Sequence, residues 1–144
     1  EYELRFNLMN IYDEEETDRS SELLSGLEEL LNSNEPIHKI WALRTLSKIY
    51  LKGFGPIPLN HSKAVSYLLR AVEENDYMAM ADLAAAYFAG IGVERDLNKS
   101  LSLLEKANQL SKNNMFSDII SGDKSKGMFE ELLEIIKKEI ENQK

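Results

Sequence analysis

The chain of 144 residues has no cysteine, one tryptophan, two histidines and three prolines. Without cysteine there is no disulfide and no thiolate metal site, and the redox compartment stays open. His38 and His61 are too few for most histidine-based metal sites. Neither has a carboxylate or hydroxyl partner at catalytic spacing, so no catalytic residues are legible and no cofactor is implied. Basic charge is also short: 17 Lys and Arg face 25 Asp and Glu, for a net charge of −8 and a sequence pI near 4.8. That balance lacks the basic footprint expected for nucleic acid or for an anionic membrane surface. No apolar run approaches the roughly 18 residues of a membrane span, and no signal-like segment opens the chain. The first residue is Glu1 rather than Met, which points to a processed chain or to a segment of a longer one.

What the chain does have is internal repetition. Ala42-x3-Leu46-x3-Tyr50-x2-Gly53-x-Gly55 returns 37 residues later as Ala79-x3-Leu83-x3-Tyr87-x2-Gly90-x-Gly92. A second block, Lys63-Ala64-x3-Leu68-x2-Ala71, returns after 36 residues as Lys99-Ser100-x3-Leu104-x2-Ala107. The loop between the blocks is therefore one residue shorter in the second copy. A fixed period in this range signals a stack of structural repeats, and repeat arrays expose extended binding surfaces.

The apolar positions follow a helical period almost throughout. Ala42, Leu46, Ile49 and Tyr50 share one face of a helix predicted at 36–52, with Pro36 in its first turn and Gly53 at its end. Asn60 is a natural N-cap for a helix at about 61–74 whose face is Ala64, Val65, Leu68, Ala71 and Val72. Asn75 and Asp76 break it and can cap a helix at 77–89, built on Ala79, Leu83, Ala86 and Tyr87. A fourth helix at about 98–110 carries Leu101, Leu104 and Ala107, preceded by Asp96 or Asn98. Small residues at Ala42, Ala71, Ala79 and Ala107 let helix axes approach closely.

Worn copies flank the clear ones. Leu4, Leu8 and Tyr12 repeat the Ala42, Leu46, Tyr50 spacing 38 residues upstream, and Leu23, Leu24, Leu27, Leu30 and Leu31 match the second-helix face. Alternation of Tyr2, Leu4, Phe6 and Leu8 with polar residues is the competing edge-strand reading. At the other end Met115, Phe116, Ile119 and Ile120 form a short apolar stretch. A helix at about 125–142 follows, with Met128, Phe129, Leu132, Leu133, Ile136 and Ile140 as its stripe. Its near-heptad seam of Phe129, Leu132, Ile136 and Ile140 suits either a cap on the preceding repeat or a dimer surface.

The two clear copies resemble the Sel-1-like repeat, a relative of the tetratricopeptide repeat. The second follows that pattern through Ala79, Leu83, Ala84 (where glycine is usual), Tyr87, Gly90, Gly92, Val93, Asp96, Lys99, Ser100 and Ala107. The first departs in its loop, where Phe54-Gly55-Pro56-Ile57-Pro58 stands, and at Ser47. The period exceeds the 34 residues of a plain tetratricopeptide repeat. The resemblance implies an all-α fold, an α/α superhelix (solenoid) of antiparallel helix pairs with degenerate capping helices. Residues 1–144 would form one repeat domain: a degenerate helix pair at 1–34, repeats at 36–74 and 77–110, and capping helices at 114–142. It also implies an adaptor or scaffold that binds another protein, as a peptide or helix. Family members occur in the cytosol, the endoplasmic reticulum lumen, the periplasm and mitochondria.

Other candidate motifs have plainer readings. The two Gly-x-Gly sequences lack the third glycine and the preceding strand of a dinucleotide loop. Gly122-Asp123-Lys124-Ser125 lacks the upstream glycine of a phosphate loop, and Asp13 to Glu16 with Asp18 lack the order of an EF-hand. Asn60-His61-Ser62 and Asn98-Lys99-Ser100 are glycosylation sequons, but both asparagines also suit helix caps.

The face of each first helix opposite its core is the expected lining of a concave surface. It offers Trp41, Arg44, Thr45 and Lys48 in the first repeat, and Met78, Ala81, Asp82 and Ala85 in the second. An aromatic beside arginine is a hot-spot composition, although Trp41 is equally placed to pack under the preceding helix. The expected function is protein binding on this face, without nucleic acid or membrane insertion. The alternative is a regulatory module that self-associates, as a homodimer, through the C-terminal helix.

Overall fold

The computed structural model describes residues 17–113 and 124–144. The upstream copy at Leu4, Leu8 and Tyr12, the acidic run Asp13–Glu16, and the Met115 to Ile120 stretch with Gly122 and Asp123 lie outside the described residues. Among the described residues there are six helices: α1 Thr17–Leu30, α2 Pro36–Lys52, α3 His61–Glu73, α4 Tyr77–Ala89, α5 Leu97–Asn113 and α6 Lys124–Asn142. The fold class is all-α, built from the helix pairs that stack into α-solenoids. The chain divides into two compact units, Glu1–Arg70 and Ala71–Lys144.

In the first unit α1 packs on α2, burying Leu23 and Leu27. Helix α2 begins at Pro36, whose predecessor Glu35 is extended at φ −86° and ψ 112°, as a residue before proline prefers. The predicted face, Ala42, Leu46, Ile49 and Tyr50, is buried, and Leu43 and Ser47 lie inside with it. Gly53 ends the helix at φ 76°, its N–H donating to the Ile49 carbonyl at 2.8 Å. The chain then crosses a short loop closed by reciprocal hydrogen bonds between Phe54 and Ile57, 2.9 Å each. Asn60 caps α3, its Oδ1 accepting from the Lys63 N–H at 3.1 Å.

In the second unit the left-handed Asn75 (φ 60°) turns the chain out of α3. Asp76 caps α4, accepting from the Ala79 N–H at 3.0 Å. Gly90, left-handed at φ 70° and ψ 39°, ends that helix. Of the two caps expected for α5, Asp96 serves: its Oδ1 accepts from the Lys99 N–H at 3.0 Å. Asn98 therefore lies inside the first turn. Helix α5 also runs to Asn113, three residues beyond the prediction. The polar Ser111, Lys112 and Asn113 hid that last turn from a reading based on apolar spacing. Yet Ser111 is buried, its hydroxyl donating to the Asn108 carbonyl at 2.8 Å.

Helix α6 packs on α5. Phe129, Leu133 and Ile136 join Ala84 and Leu104 in one buried cluster, with Ile140 packed against it. Two residues assigned to the same stripe point elsewhere: Met128 is 47% exposed and Leu132 39% exposed. The inward row is thus Phe129, Leu133, Ile136 and Ile140, at i, i+4, i+7 and i+11. A second apolar row of Met128, Leu132 and Ile135, the last 53% exposed, faces solvent.

Gly53 and Gly127 make a paired test of the fold. A Cβ on Gly53 would meet the Leu59 N at 3.2 Å and the Ile57 O at 3.3 Å, at a φ that disfavours side chains. Gly127, inside α6, has nothing within 4 Å of the added atom. Gly53→Ala is expected to lower stability by about 1–2 kcal/mol, and Gly127→Ala to raise it by up to about 1 kcal/mol. Urea denaturation midpoints check both; equal shifts of the same sign would contradict the assigned backbone.

Candidate protein-interaction face

Both repeats close in the same way. In the first, the Asn60 N–H donates to the Tyr50 carbonyl at 2.7 Å; in the second, the Asp96 N–H donates to the Tyr87 carbonyl at 3.0 Å. The cap of each second helix is therefore tied to the last tyrosine of the first. The repeated lysine completes the closure. Lys63 Nζ lies 4.5 Å from the centre of the Tyr50 ring and Lys99 Nζ 5.5 Å from that of Tyr87, within the range of a cation–π contact. In the first repeat Tyr67 stacks on Tyr50, with ring centres 5.9 Å apart and planes 18° from parallel. Tyr67 lies outside the apolar face read from the sequence for this helix; its counterpart in the second copy is Leu103.

The closure does not involve the opposite face of α2. Trp41, Arg44, Thr45 and Lys48 follow one another at i, i+3, i+4 and i+7, so one helix face carries all four. Lys48 is exposed; the other three are half-buried. The Thr45 hydroxyl donates to the Trp41 carbonyl at 2.8 Å, which satisfies it within the helix. The counterpart set on α4 is split. Asp82 and Ala85 are exposed, whereas Met78 and Ala81 are half-buried and pack against the cluster of Ala84, Leu104, Phe129, Leu133 and Ile136. Tyr77 meets Phe129 edge-on at 6.3 Å and 81°, placing α6 beside the start of α4. Sequence spacing could show which face of α4 was apolar, but not that α6 would come to lie against part of it.

The remaining candidates resolve structurally. Gly53, Gly55, Gly90 and Gly92 all have positive φ, between 54° and 76°, as repeat turns require. Asn60 is an exposed cap; Asn98 is exposed, but Ser100 of its sequon is fully buried, its hydroxyl donating to the Ala84 carbonyl at 2.6 Å. His38 and His61 are on α2 and α3. Among the described residues no group of three or more His, Asp or Glu could hold a metal ion, and no helix is long and apolar enough to cross a membrane.

Two successive helix pairs closed by the same tyrosine, glycine turn and lysine define a helical-hairpin repeat protein. The family model of the Sel1 repeat matches residues 42–76 and 78–111, so the chain carries two Sel1 repeats. No curated protein and no solved structure matches it. Sel1 repeats are generally protein–protein interaction modules, and proteins built from them are typically non-enzymatic adaptors.

The tyrosine closure has a pH signature. The Lys63 amine is held above its ordinary 10.5, chiefly by its hydrogen bond to Tyr50 and against a smaller opposing effect of burial. Burial likewise pushes the Tyr67 phenol above its ordinary 10.0. Both groups keep their protons longer in the fold than in the unfolded chain. Their stabilisation is complete below about pH 10 and is lost as pH rises through the folded values. The urea midpoint is expected to fall as pH rises above about 10, and less steeply in Lys63→Met/Tyr67→Phe. Identical slopes in the two proteins would remove these groups as the cause.

Proposed function

We propose that this chain is an adaptor that holds a peptide or helix of another protein on the outward faces of the first helices of its repeats. Trp41, Arg44, Thr45 and Lys48 are the contacts on α2, and Asp82 and Ala85 those on α4, with Met78 and Ala81 half-buried beneath. The observation that carries this reading is the division of labour on α2. One face buries Ala42, Leu43, Leu46, Ile49 and Tyr50, and the opposite face carries a tryptophan and two cations, of which Lys48 is exposed. Aromatic and arginine side chains gathered on one face have the composition of an interface hot spot.

A second reading rests on the outward row of α6. Met128, Leu132 and Ile135 repeat the i, i+4, i+7 spacing of Ala79, Leu83 and Ala86, which are buried in α4. On this reading α6 self-associates, and its seam is that row, because Phe129 and Ile136 are already used inside the chain.

A photo-crosslinking residue placed at 48 or 82 is expected to capture a partner protein, and one at the exposed Lys106 of α5 to capture none. Trp41→Ala/Lys48→Glu is expected to weaken capture at least about tenfold with the circular dichroism spectrum unchanged. Capture from position 106 alone would move the site away from the first helices. For the second reading, a dimer mass by light scattering that reverts to monomer in Leu132→Glu is the expected result, and a wild-type monomer at all concentrations would end it.

A further inference from the structure

Charge is distributed along this chain in a way that its total conceals. Residues 1–35 hold eleven acidic side chains and two basic ones. From Pro36 to Val72 there is no Asp or Glu, while six basic residues occur: Lys39, Arg44, Lys48, Lys52, Lys63 and Arg70. An acidic protein thus contains a stretch, Pro36 to Val72, that carries only positive charge and ends at Glu73 and Glu74, the close of the first repeat.

On α2 these cations are ordered. Arg44, Lys48 and Lys52 are spaced four residues apart and, with Trp41, lie on the face opposite the core. Lys48 and Lys52 are exposed, and neither has an ion-pair partner among the described residues. Like charges at i and i+4 oppose helix formation, so the row works against the helix that carries it. Lys52 has a local reason to be there, since a cation in the last turn suits the helix dipole. Lys48, one turn before that end and outside the last turn, has no such reason.

We infer that the ligand of this face is an acidic protein segment, with carboxylates about one helical turn apart set against Arg44, Lys48 and Lys52 and an apolar side chain beside Trp41. The inference rests on the adaptor reading and adds the chemistry of the partner. The row spans about 12 Å at the helical rise of about 1.5 Å per residue. That suits two or three carboxylates. It falls short of the about six to ten phosphate contacts of a typical nucleic-acid footprint. Opposite charge across the face speeds encounter and sets register, and a half-buried aromatic supplies the apolar contact that charge alone lacks.

The test is selection of displayed random peptides on the immobilised full-length chain, followed by affinity measurement of a selected peptide. The expected result is enrichment of Asp and Glu in the selected pool. Affinity should fall at least about tenfold in Lys48→Glu/Lys52→Glu, less in Lys48→Gln/Lys52→Gln, and also on raising salt from about 0.05 to 0.5 M. A selected pool without acidic enrichment, or binding that survives the charge reversal, overturns the inference and leaves the adaptor reading in place. Failure of the wild-type chain to select any peptide tells against both. A single-stranded oligonucleotide that binds the chain and is released by the same substitutions overturns the assignment to an acidic protein.

Discussion

The second repeat depends on how closely two backbones can approach. The Ser100 hydroxyl of α5 reaches the Ala84 carbonyl of α4 at 2.6 Å, which is possible only where the helices meet with almost nothing between them. Small side chains make that approach possible: Ala79, Ala84 and Ala107 are at most 1% exposed. Close packing then brings Leu83 and Leu104 into the shared core and sets the position of the surface that α6 covers. A bulkier residue at the crossing would hold the helices apart, and every contact farther along them would weaken together. Serine at this crossing adds a hydrogen bond between helices without adding bulk, because its hydroxyl uses a free lone pair of a carbonyl already bonded within its own helix.

Much of this arrangement was legible in the residues. Pro36, Gly53, Asn60, Asp76, Gly90 and Asp96 mark helix ends through steric or hydrogen-bonding rules that act within a few residues, so local sequence suffices to find them. The face of α2 was legible for the same reason, since Ala42, Leu46, Ile49 and Tyr50 obey the period of an isolated helix. What escaped were properties set by neighbours distant in sequence. Leu132 and Leu133 are chemically identical, yet one is 39% exposed and the other 7%; only the position of α5 distinguishes them. Met78 and Ala81 looked like surface residues because α6, nearly fifty residues downstream, could not be placed against them from spacing. Asn98 looked like a cap until Asp96, two residues earlier, proved to make that hydrogen bond.

The proposed binding face has the same limit in reverse. Its members on α2 could be proposed from sequence because everything that places them on one face lies on one helix. The row of positive charge on that face was hidden by the net charge of −8, a sum dominated by the acidic first 35 residues. Charge has to be read segment by segment, because the field near a surface is set by the groups within about 10 Å rather than by the molecular total.

The two tyrosine turns differ in length by one residue, yet each returns the cap N–H to the same tyrosine carbonyl. The extra residue of the first turn is taken up between Gly53 and Asn60, in the stretch where Phe54 and Ile57 bond to each other. Such a turn works as an expansion joint. Insertions and deletions that fall inside it are absorbed at the surface, and the phase between the two helices of the pair is kept. The repeats can therefore diverge in loop length and loop chemistry, as Phe54-Gly55-Pro56-Ile57-Pro58 already has, while the helices remain interchangeable units. Variation that would shift the register of a β-sheet is here confined to a short loop in which Ile57 alone is buried.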